Sequence, residues 1–293
     1  MDSIALCLYT FGKAQTKSAV EKTERKSIMS QDSNEEKKRQ QIQQQFGAAA
    51  KDYVTSTVHA AGPDLPWLVE AAALTGSERV VDVATGTGHT ALALAPFAHE
   101  VVAVDLTESM LEGGRHLARE RGITNVEFIR GDAHALPLPE NNVDVVTCRY
   151  AAHHFIDVSQ AAQEWARVLK SGGKLVLLDS IAPEDETLDG FLNEIEALRD
   201  PSHVRNHRVS EWLVILKEAG IEAHEERSFD ISLDFLNWTQ RQRTSAENVQ
   251  RLRELFSTAS EQIRTALHIE PDGDEIHFTI PIALIVGTAI SSN

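Results

Sequence analysis

Apolar residues recur along the middle of this 293-residue chain in short runs that alternate with helix-length stretches. The runs that predict strands lie at 79–84, 100–105, 125–130, 143–148 and 173–180. The stretches that predict helices between them lie at 88–96, 107–121 and 157–170. Strands that alternate with helices form a parallel sheet covered by helices on both faces, so this pattern predicts an α/β fold.

The segments on either side of this alternation also predict regular structure. They are helices at 40–58, 67–74 and 209–219, strands at 221–233 and 274–290, and a helical segment at 245–268. Ser210 is the expected cap of the helix at 209–219, and Gly220 is its expected end. Residues 182–208 break the alternation. They are acidic at first, then basic and rich in histidine, and they predict an insertion.

The segment with the clearest chemistry is VVDVATGTGHTALALA, which begins at Val80 and reads as a buried strand, a glycine turn and a helix. The next strand, EVVAVD, ends at Asp105. Glycine lets the backbone approach a ligand closely, and a carboxylate at the end of the neighbouring strand can accept both hydroxyl protons of a ribose. This order of elements predicts a nucleoside cofactor.

Two nucleoside cofactors fit these residues. GTGHTA, from Gly86 to Ala91, matches the dinucleotide fingerprint G-x-G-x-x-G/A, and Asp105 lies near the expected spacing for a ribose ligand. Against a dinucleotide stand Asp82 inside the strand and Asp132 after the third strand, since a pyrophosphate prefers a bare helix N-terminus. Three carboxylates at three successive strand ends favour a cationic adenosine cofactor without phosphate, which describes S-adenosyl-L-methionine.

The same residues resemble the class I S-adenosylmethionine-dependent methyltransferases, in the broad group that includes the ubiquinone/menaquinone biosynthesis methyltransferases. VVDVATGTGHTALALA is similar to the glycine motif of that family. Ala84 stands where many members have glycine, a variant common in the quinone-type subgroup. GDAHALPLPENNVDVV is similar to the adenine-side segment, and RVLKSGGKLVLLD to the helix, turn and fifth strand. The resemblance covers residues 46–220 well and the C-terminal part in outline.

The resemblance implies a Rossmann-like sheet of seven mostly parallel strands, with helices on both faces and one antiparallel strand near the C-terminus. It also implies an N-terminal helix and a helical cap, the cap being the insertion at about 182–208. Residues 13–45 are rich in lysine, glutamate, serine and glutamine, so we expect a mobile arm over residues 1–39, followed by one methyltransferase domain over residues 40–293. The expected cofactor-binding residues are Tyr53, Asp82, Ala84, Thr85, Gly86, Gly88, Asp105, Leu106, Asp132, Ala133 and Arg149.

The loop CRYAAHHF, from Cys148 to Phe155, follows the fourth strand, where an α/β sheet places its reactive loop. His153 or His154 in this loop is a candidate general base that takes a proton from the acceptor during methyl transfer. The alternative is that the pair only braces the loop through hydrogen bonds to the backbone. The sequence does not decide between these two roles.

The insertion carries a second set of candidate residues. His203, Arg205 and His207 are expected to contact the acceptor, in a pocket roofed by the cap and the N-terminal helix. The alternative is that these residues, with the polar residues at 199–202, only cap and brace the helical cap. Seven further histidines show no spacing typical of a metal site, and no metal is expected; they are His59, His89, His99, His116, His224, His268 and His277.

Composition narrows the class of protein. The formal net charge is −16, which argues against nucleic acid or an anionic membrane as an electrostatically held partner. Cys7 and Cys148, the two cysteines, cannot build a disulfide framework, so a reducing compartment is expected. No apolar run reaches the length of a membrane span. We therefore expect a cytoplasmic enzyme that acts on a small molecule, with its oligomeric state undetermined.

The expected reaction is methyl transfer from S-adenosyl-L-methionine to an oxygen, nitrogen or carbon of a small-molecule acceptor, by direct in-line displacement. One alternative acceptor is a quinone-type lipid precursor that is methylated on carbon. Two alternatives belong to other classes: an NAD-dependent oxidoreductase, and a partner protein that binds the cofactor without catalysis. The sequence does not name the acceptor atom.

Overall fold

The computed structural model describes residues 36–41, 43, 45–47, 62, 64–273 and 275–290. The chain divides into two units, residues 1–42 and 43–293. In the first unit residues 36–41 are helical, and the Gln40 side chain donates a hydrogen bond of 3.1 Å to Glu36. Most of the predicted arm and most of the predicted N-terminal helix, Tyr53 included, lie outside the described residues.

The second unit is built on one mixed sheet. Its strands are β1 (Arg79–Val83), β2 (Glu100–Asp105), β3 (Val126–Arg130), β4 (Val143–Arg149), β5 (Leu169–Ser180), β6 (Ile221–Asp234), β7 (Glu270–Asp272) and β8 (Glu275–Ala289). The order across the sheet is β3-β2-β1-β4-β5-β8-β6, and β7 pairs with β8. Strands β1 to β5 run parallel, whereas β8 is antiparallel to both β5 and β6. The predicted fold class, including the antiparallel strand near the C-terminus, is confirmed.

Helices surround this sheet. They are α1 (Asp64–Ala72), α2 (His89–Leu94), α3 (Glu108–Glu120), α4 (Val158–Val168), α5 (Glu186–Arg199), α6 (Val209–Glu218), α7 (Phe235–Arg241), α8 (Ala246–Thr258) and α9 (Glu261–Ala266), with short 3₁₀ turns at Ala95–Phe97 and Ala152–His154. The sequence pattern did not predict α7 or β7, because segments of seven and three residues are too short to show a period. Among the described residues, no helix combines the length and apolar character needed to cross a bilayer.

The helix that follows the insertion begins differently from the prediction. Ser210 is the second residue of α6, so it lies inside the first turn and does not cap it. Its hydroxyl and its N–H both donate to the Glu184 carboxylate, at 2.6 and 3.0 Å. The Arg208 N–H at the start of the helix donates to the Glu211 side chain, 2.9 Å away. Gly220 ends the helix as predicted, with φ at 87°.

Apolar side chains of the strands form a core on each face of the sheet. Val80, Val101 and Ala103 pack in one layer, whereas Val81 and Val102 pack in the other. This division follows from the strand period of two residues, which sends successive side chains to opposite faces. Because helices cover both faces, the central parallel strands are buried along most of their length.

One aromatic ring sets how closely the helices approach β3. Phe128 of β3 lies against Gly88, which precedes α2, and against Gly114 within α3. A methyl group on Gly88 would come within 2.7 Å of the Phe128 ring, and a methyl group on Gly114 would come closer still. Contacts that short force the neighbouring groups apart, so this packing requires glycine at both positions.

We predict opposite effects of Gly→Ala at two helical positions. Beyond the backbone of α5 and the adjoining residues, no atom of the described chain lies within 4 Å of a methyl group built on Gly190. Gly190→Ala should therefore stabilise the protein, since alanine favours a helix over glycine by about 1 kcal/mol. Gly114→Ala should destabilise it, because the same gain is outweighed by overpacking of Phe128, which costs about 1–3 kcal/mol. Denaturant unfolding of both variants measures the free energies, and equal stabilisation by both would contradict the described packing.

Candidate active site

The turn after β1 holds three residues in the left-handed backbone region. The φ angles of Ala84, Gly86 and Gly88 are 54°, 56° and 79°. Glycine adopts this region without steric conflict, whereas an alanine there is strained by about 1–2 kcal/mol. Apart from the two adjoining residues, no atom of the described chain lies within 4 Å of a methyl group built on Gly86. The turn therefore leaves room for a ligand beside Gly86, as far as the described residues define its surroundings.

Asp105, at the end of β2, joins the glycine turn to the next loop. Its Oδ2 accepts the Gly86 N–H and its Oδ1 accepts the Thr107 N–H, both at 2.8 Å. Burial raises the pKa of Asp105, and the bonds from these two N–H groups oppose that rise. Each oxygen keeps a further lone pair, so the predicted contact with a ribose remains chemically possible and stays a prediction.

Asp82 is a buried carboxylate inside β1, with 1% of its surface exposed. Its Oδ2 accepts the Thr85 hydroxyl at 2.5 Å, and its Oδ1 accepts the Thr147 hydroxyl of β4 at 2.7 Å. Burial raises the pKa of Asp82 to about 6, although both hydroxyls favour the charged form. The structure thus holds a carboxylate whose charge is poorly compensated and which a cationic ligand would stabilise.

Asp132, after β3, is held by a histidine that the sequence analysis did not single out. The Oδ1 atom of Asp132 accepts the backbone N–H of His134 at 2.9 Å and lies 2.6 Å from Nδ1 of the His134 ring. The Asp157 N–H donates to the other ring nitrogen, Nε2, at 3.2 Å, so the ring donates from Nδ1. His134 therefore orients Asp132. The sequence signal that could have indicated this contact is the separation of the two residues by one position, in the order Asp-x-His. Ala133 lies between the two.

Arg149, at the end of β4, forms a buried ion pair with α1. Its Nε and Nη2 lie 2.7 and 2.6 Å from Oδ2 of Asp64. The two side chains are almost completely buried, so this pairing fastens α1 to the end of the strand. The predicted contact between Arg149 and the cofactor stays a prediction, and the structure gives the guanidinium an additional structural role.

His153 follows β4 and is tied to Asp179 of β5. The Asp179 Oδ2 accepts the His153 N–H at 3.0 Å, and its Oδ1 lies 2.6 Å from Nδ1 of the ring. Burial opposes protonation of His153, but the Asp179 carboxylate, with Glu196 and Asp200, outweighs it and raises the pKa of the ring. The bond from the backbone N–H fits the predicted bracing role, and the contact of the ring with a carboxylate fits the predicted role as a base. Both roles therefore stay predictions.

His154 lies beside His153, with the two ring centroids 4.1 Å apart. Its Nδ1 is 3.2 Å from the Ser202 hydroxyl, which in turn donates to Asp200 at 2.6 Å. Burial and the neighbouring His153 lower the pKa of His154 to about 3. The pair thus contains one imidazole that faces a carboxylate and one that faces a hydroxyl.

The structure separates the three candidate acceptor residues of the insertion. The ring of His203 lies 5.8 Å from that of His153, and its Nε2 is 3.2 Å from Asn193 Oδ1. Arg205 instead donates to Asp189 at 2.9 Å and to Glu211 at 3.1 Å. These bonds support the bracing alternative for Arg205, whereas His203 is brought to the histidine pair.

His207 is the third of these residues, and it lies beside α6. Its Nδ1 is 3.6 Å from Glu211, and its ring packs edge-on against Trp212 with centroids 5.4 Å apart. Burial lowers the pKa of His207, against the attraction of Glu211. An acceptor-binding role for His207 therefore remains a prediction, and the observed contacts are those of a bracing residue.

The described part of the N-terminal helix contacts the residues that follow β2 and those that follow β4. Gln43 donates to the carbonyl of Leu106, after β2, at 3.1 Å. The ring of Phe46 packs edge-on against His154, with centroids 4.9 Å apart. These contacts join the segment to the residues that follow β2 and β4, and its role as a roof over the site stays a prediction. The domain boundaries and the role of Tyr53 stay predictions.

We predict that Asp82 makes the folded state less stable as the pH rises. Its folded pKa of about 6 lies above the ordinary 3.8, so its contribution to stability is present below pH 3.8 and is lost through pH 6. At about 1.4 kcal/mol per pKa unit, the loss is about 3 kcal/mol. Unfolding of the wild type and Asp82→Asn should therefore show a stability difference that grows in favour of the variant between pH 4 and 6. A difference independent of pH would contradict this.

Comparison with known proteins places these residues in a family. A family model for a methyltransferase domain matches residues 81–177. YcgJ, an uncharacterized methyltransferase of Bacillus subtilis, is 37% identical over 244 residues, which are 83% of this chain and 96% of that protein. A demethylmenaquinone methyltransferase of Clavibacter sepedonicus is 36% identical over 151 residues, covering 50% of this chain and 61% of that protein.

Solved structures agree with the sequence matches. The crystal structure of YcgJ superposes with a TM-score of 0.76 at 36% identity, covering 78% of this chain and 98% of that one. A putative methyltransferase from Bacillus halodurans gives the same TM-score at 38% identity, covering 78% of this chain and all of that one. This chain therefore belongs to the class I S-adenosyl-L-methionine-dependent methyltransferases, and S-adenosyl-L-methionine is its cofactor.

Proposed function

We propose that the protein transfers the methyl group to a small-molecule acceptor by direct in-line displacement. The observation that carries this proposal is the position of the histidine pair relative to the glycine turn. Strands β1 and β4 are hydrogen-bonded neighbours, and Thr147 of β4 bonds to Asp82 of β1. The loop with His153 and His154 follows β4, so it lies at the same edge of the sheet as the turn.

The residues around the turn fit the cofactor. S-adenosyl-L-methionine supplies a methyl group on a positively charged sulfur, together with an ammonium group and an adenosine. We assign the buried carboxylate of Asp82 to the positive charge, directly or through water, and Asp105 to the ribose hydroxyls. Asp132, held by His134, is assigned to the adenine amino group. The open space beside Gly86 gives the ligand access to the backbone.

In this mechanism the chain aligns the acceptor, excludes water and accepts a proton where the acceptor has one to lose. Alignment of two reactants can by itself lower the barrier by about 7–11 kcal/mol. Positive charge disappears from the sulfur during the reaction, so a dry site favours it. Phe46 and the buried histidine loop contribute apolar and ring surfaces to that site. A positioned base adds roughly 10²–10⁴-fold for acceptors of high pKa.

A second candidate acceptor is a quinone-type lipid precursor methylated on carbon. It is favoured by the printed activity of the Clavibacter relative, although that match covers only half of this chain. The predicted alternatives of an NAD-dependent oxidoreductase and a non-catalytic partner receive no support from the family assignment. The two hypotheses differ in the acceptor, which the experiment below identifies together with the methylated atom.

The test is methyl transfer from cofactor labelled in its methyl group to a panel of acceptors. The panel contains phenols and other hydroxyl compounds, primary and tertiary amines, thioethers and a demethylated quinol. Mass spectrometry of the products identifies both the acceptor and the methylated atom. Transfer to a small polar acceptor supports the proposal, and transfer to the quinol carbon alone supports the lipid alternative. Binding of the cofactor without transfer to any member would contradict catalysis of this kind.

We predict that Asp105→Ala weakens cofactor binding ten- to a hundredfold. A hydrogen bond to a charged group contributes about 1.5–3 kcal/mol, and Asp105 also holds the Gly86 turn in place. Calorimetric titration with S-adenosyl-L-homocysteine measures the affinity, and circular dichroism checks that the variant is folded. Asp230→Ala on exposed β6 is the matched control and should bind normally. Unchanged affinity in folded Asp105→Ala would show that the cofactor lies elsewhere.

A further inference from the structure

The two histidines after β4 are held by different partners, and the difference assigns their roles. Asp179 has 2% of its side chain exposed, and it directs both oxygens at His153. Its Oδ1 also accepts the Ser180 N–H at 2.8 Å. An ionised carboxylate only accepts hydrogen bonds, so Nδ1 of His153 must donate. The neutral ring then carries its lone pair on Nε2, for which the described residues provide no hydrogen bond.

Among the residues that the structure describes, no carboxylate is bonded to the ring of His154. The Ser202 hydroxyl donates its one proton to Asp200, whose Oδ1 also accepts the Ser202 N–H at 2.7 Å. Nδ1 of His154 therefore donates to the Ser202 oxygen. A protonated His154 would be buried beside a charged His153 without a direct counter-ion, which is unfavourable. The ring is therefore held neutral, and the chain through Ser202 to Asp200 braces it.

We propose that His153 is the general base of the reaction, that Asp179 is its positioning residue, and that the acceptor belongs to the class that loses a proton on methylation, a hydroxyl compound above all. This inference rests on the proposed function. The acceptor oxygen forms a bond to the methyl carbon, and the carbon–sulfur bond breaks with its electron pair left on sulfur. The acceptor proton passes to Nε2 of His153, and the resulting imidazolium is paired with the Asp179 carboxylate.

The surroundings of His153 favour its taking up that proton. Asp179 of β5 is in direct contact, and Glu196 of α5 and Asp200 add attraction. Burial acts against them. The rings of His154 and His203 also face His153, with centroids 4.1 and 5.8 Å from its own. The carboxylates outweigh burial, so the imidazolium is favoured at this position compared with a histidine in water. A base whose pKa lies near the working pH is the efficient kind.

The first experiment needs no acceptor. Proton–nitrogen NMR of the whole protein, labelled with ¹⁵N in histidine, reports the tautomer and the pKa of each ring. We expect His153 to be the Nδ1–H tautomer when neutral, with a pKa that falls in Asp179→Asn. Ser202→Ala is the control, because it removes the bond to His154 and should leave the His153 tautomer unchanged. An Nε2–H tautomer for His153, or a pKa unmoved by Asp179→Asn, would overturn the pairing.

The second experiment separates this inference from the proposed function. The acceptor is 4-methylphenol, a hydroxyl compound of the panel, and the cofactor is again labelled in its methyl group. With this acceptor, His153→Gln should lower kcat by about 10²–10⁴-fold and leave cofactor affinity intact. Asp179→Asn should lower kcat and move the rising limb of the pH–rate profile to lower pH. Two outcomes would contradict the base role of His153 while still supporting methyl transfer. One is transfer only to thioethers or tertiary amines, and the other is full kcat with the phenol in folded His153→Gln. Transfer to nothing would instead defeat the proposed function.

Discussion

Two hydrogen bonds to one carboxylate organise the site. Asp105 accepts the Gly86 N–H on one oxygen and the Thr107 N–H on the other, and so fixes the glycine turn relative to the start of α3. The turn can reach Asp105 because β1 and β2 are parallel neighbours whose carboxyl ends lie at the same edge of the sheet. The same constraint brings Asp82 next to Thr147 and the histidine loop next to Asp179.

The sequence pattern predicted the sheet and the glycine turn, because both depend on residues that are close together in the chain. The strand period gave the parallel sheet, since alternate residues such as Val80 and Val81 fill opposite cores. The glycine turn and its carboxylate followed from residue types and spacing within 27 residues, from Arg79 to Asp105. These features were predictable because backbone conformation and burial impose them on short segments.

The parts that the sequence did not predict depend on partners far apart in the chain. Arg149 reads as a site residue beside the histidine loop, yet its partner Asp64 lies 85 positions earlier. Asp179 lies near the end of the apolar strand β5 and was not singled out from the sequence, although it is the residue that distinguishes His153 from His154. Arg205 reads as an acceptor ligand, and only the folded chain shows the Asp189 and Glu211 carboxylates around it. Such pairings arise from strand order and helix docking, which no short motif encodes.

The site concentrates ionisable groups in places that penalise their charged forms. Burial raises the pKa of Asp82 and of Asp105, and lowers that of His154. Buried ionisable groups with shifted pKa values are a recurrent property of functional sites. The exception is His153, where a carboxylate from the neighbouring strand overcomes burial. One edge of the sheet thus holds carboxylates suited to a cation and a base suited to a proton.

The most direct measurement of this arrangement is a crystal structure of the protein with S-adenosyl-L-homocysteine bound. It should show the ribose hydroxyls on Asp105, and the sulfur on the side of the turn that faces the ring of His153. The space between the sulfur and Nε2 of that ring should be free for an acceptor. A product molecule bound away from Asp105, or with its sulfur turned away from His153, would contradict the assignment of this edge as the methyl-transfer site.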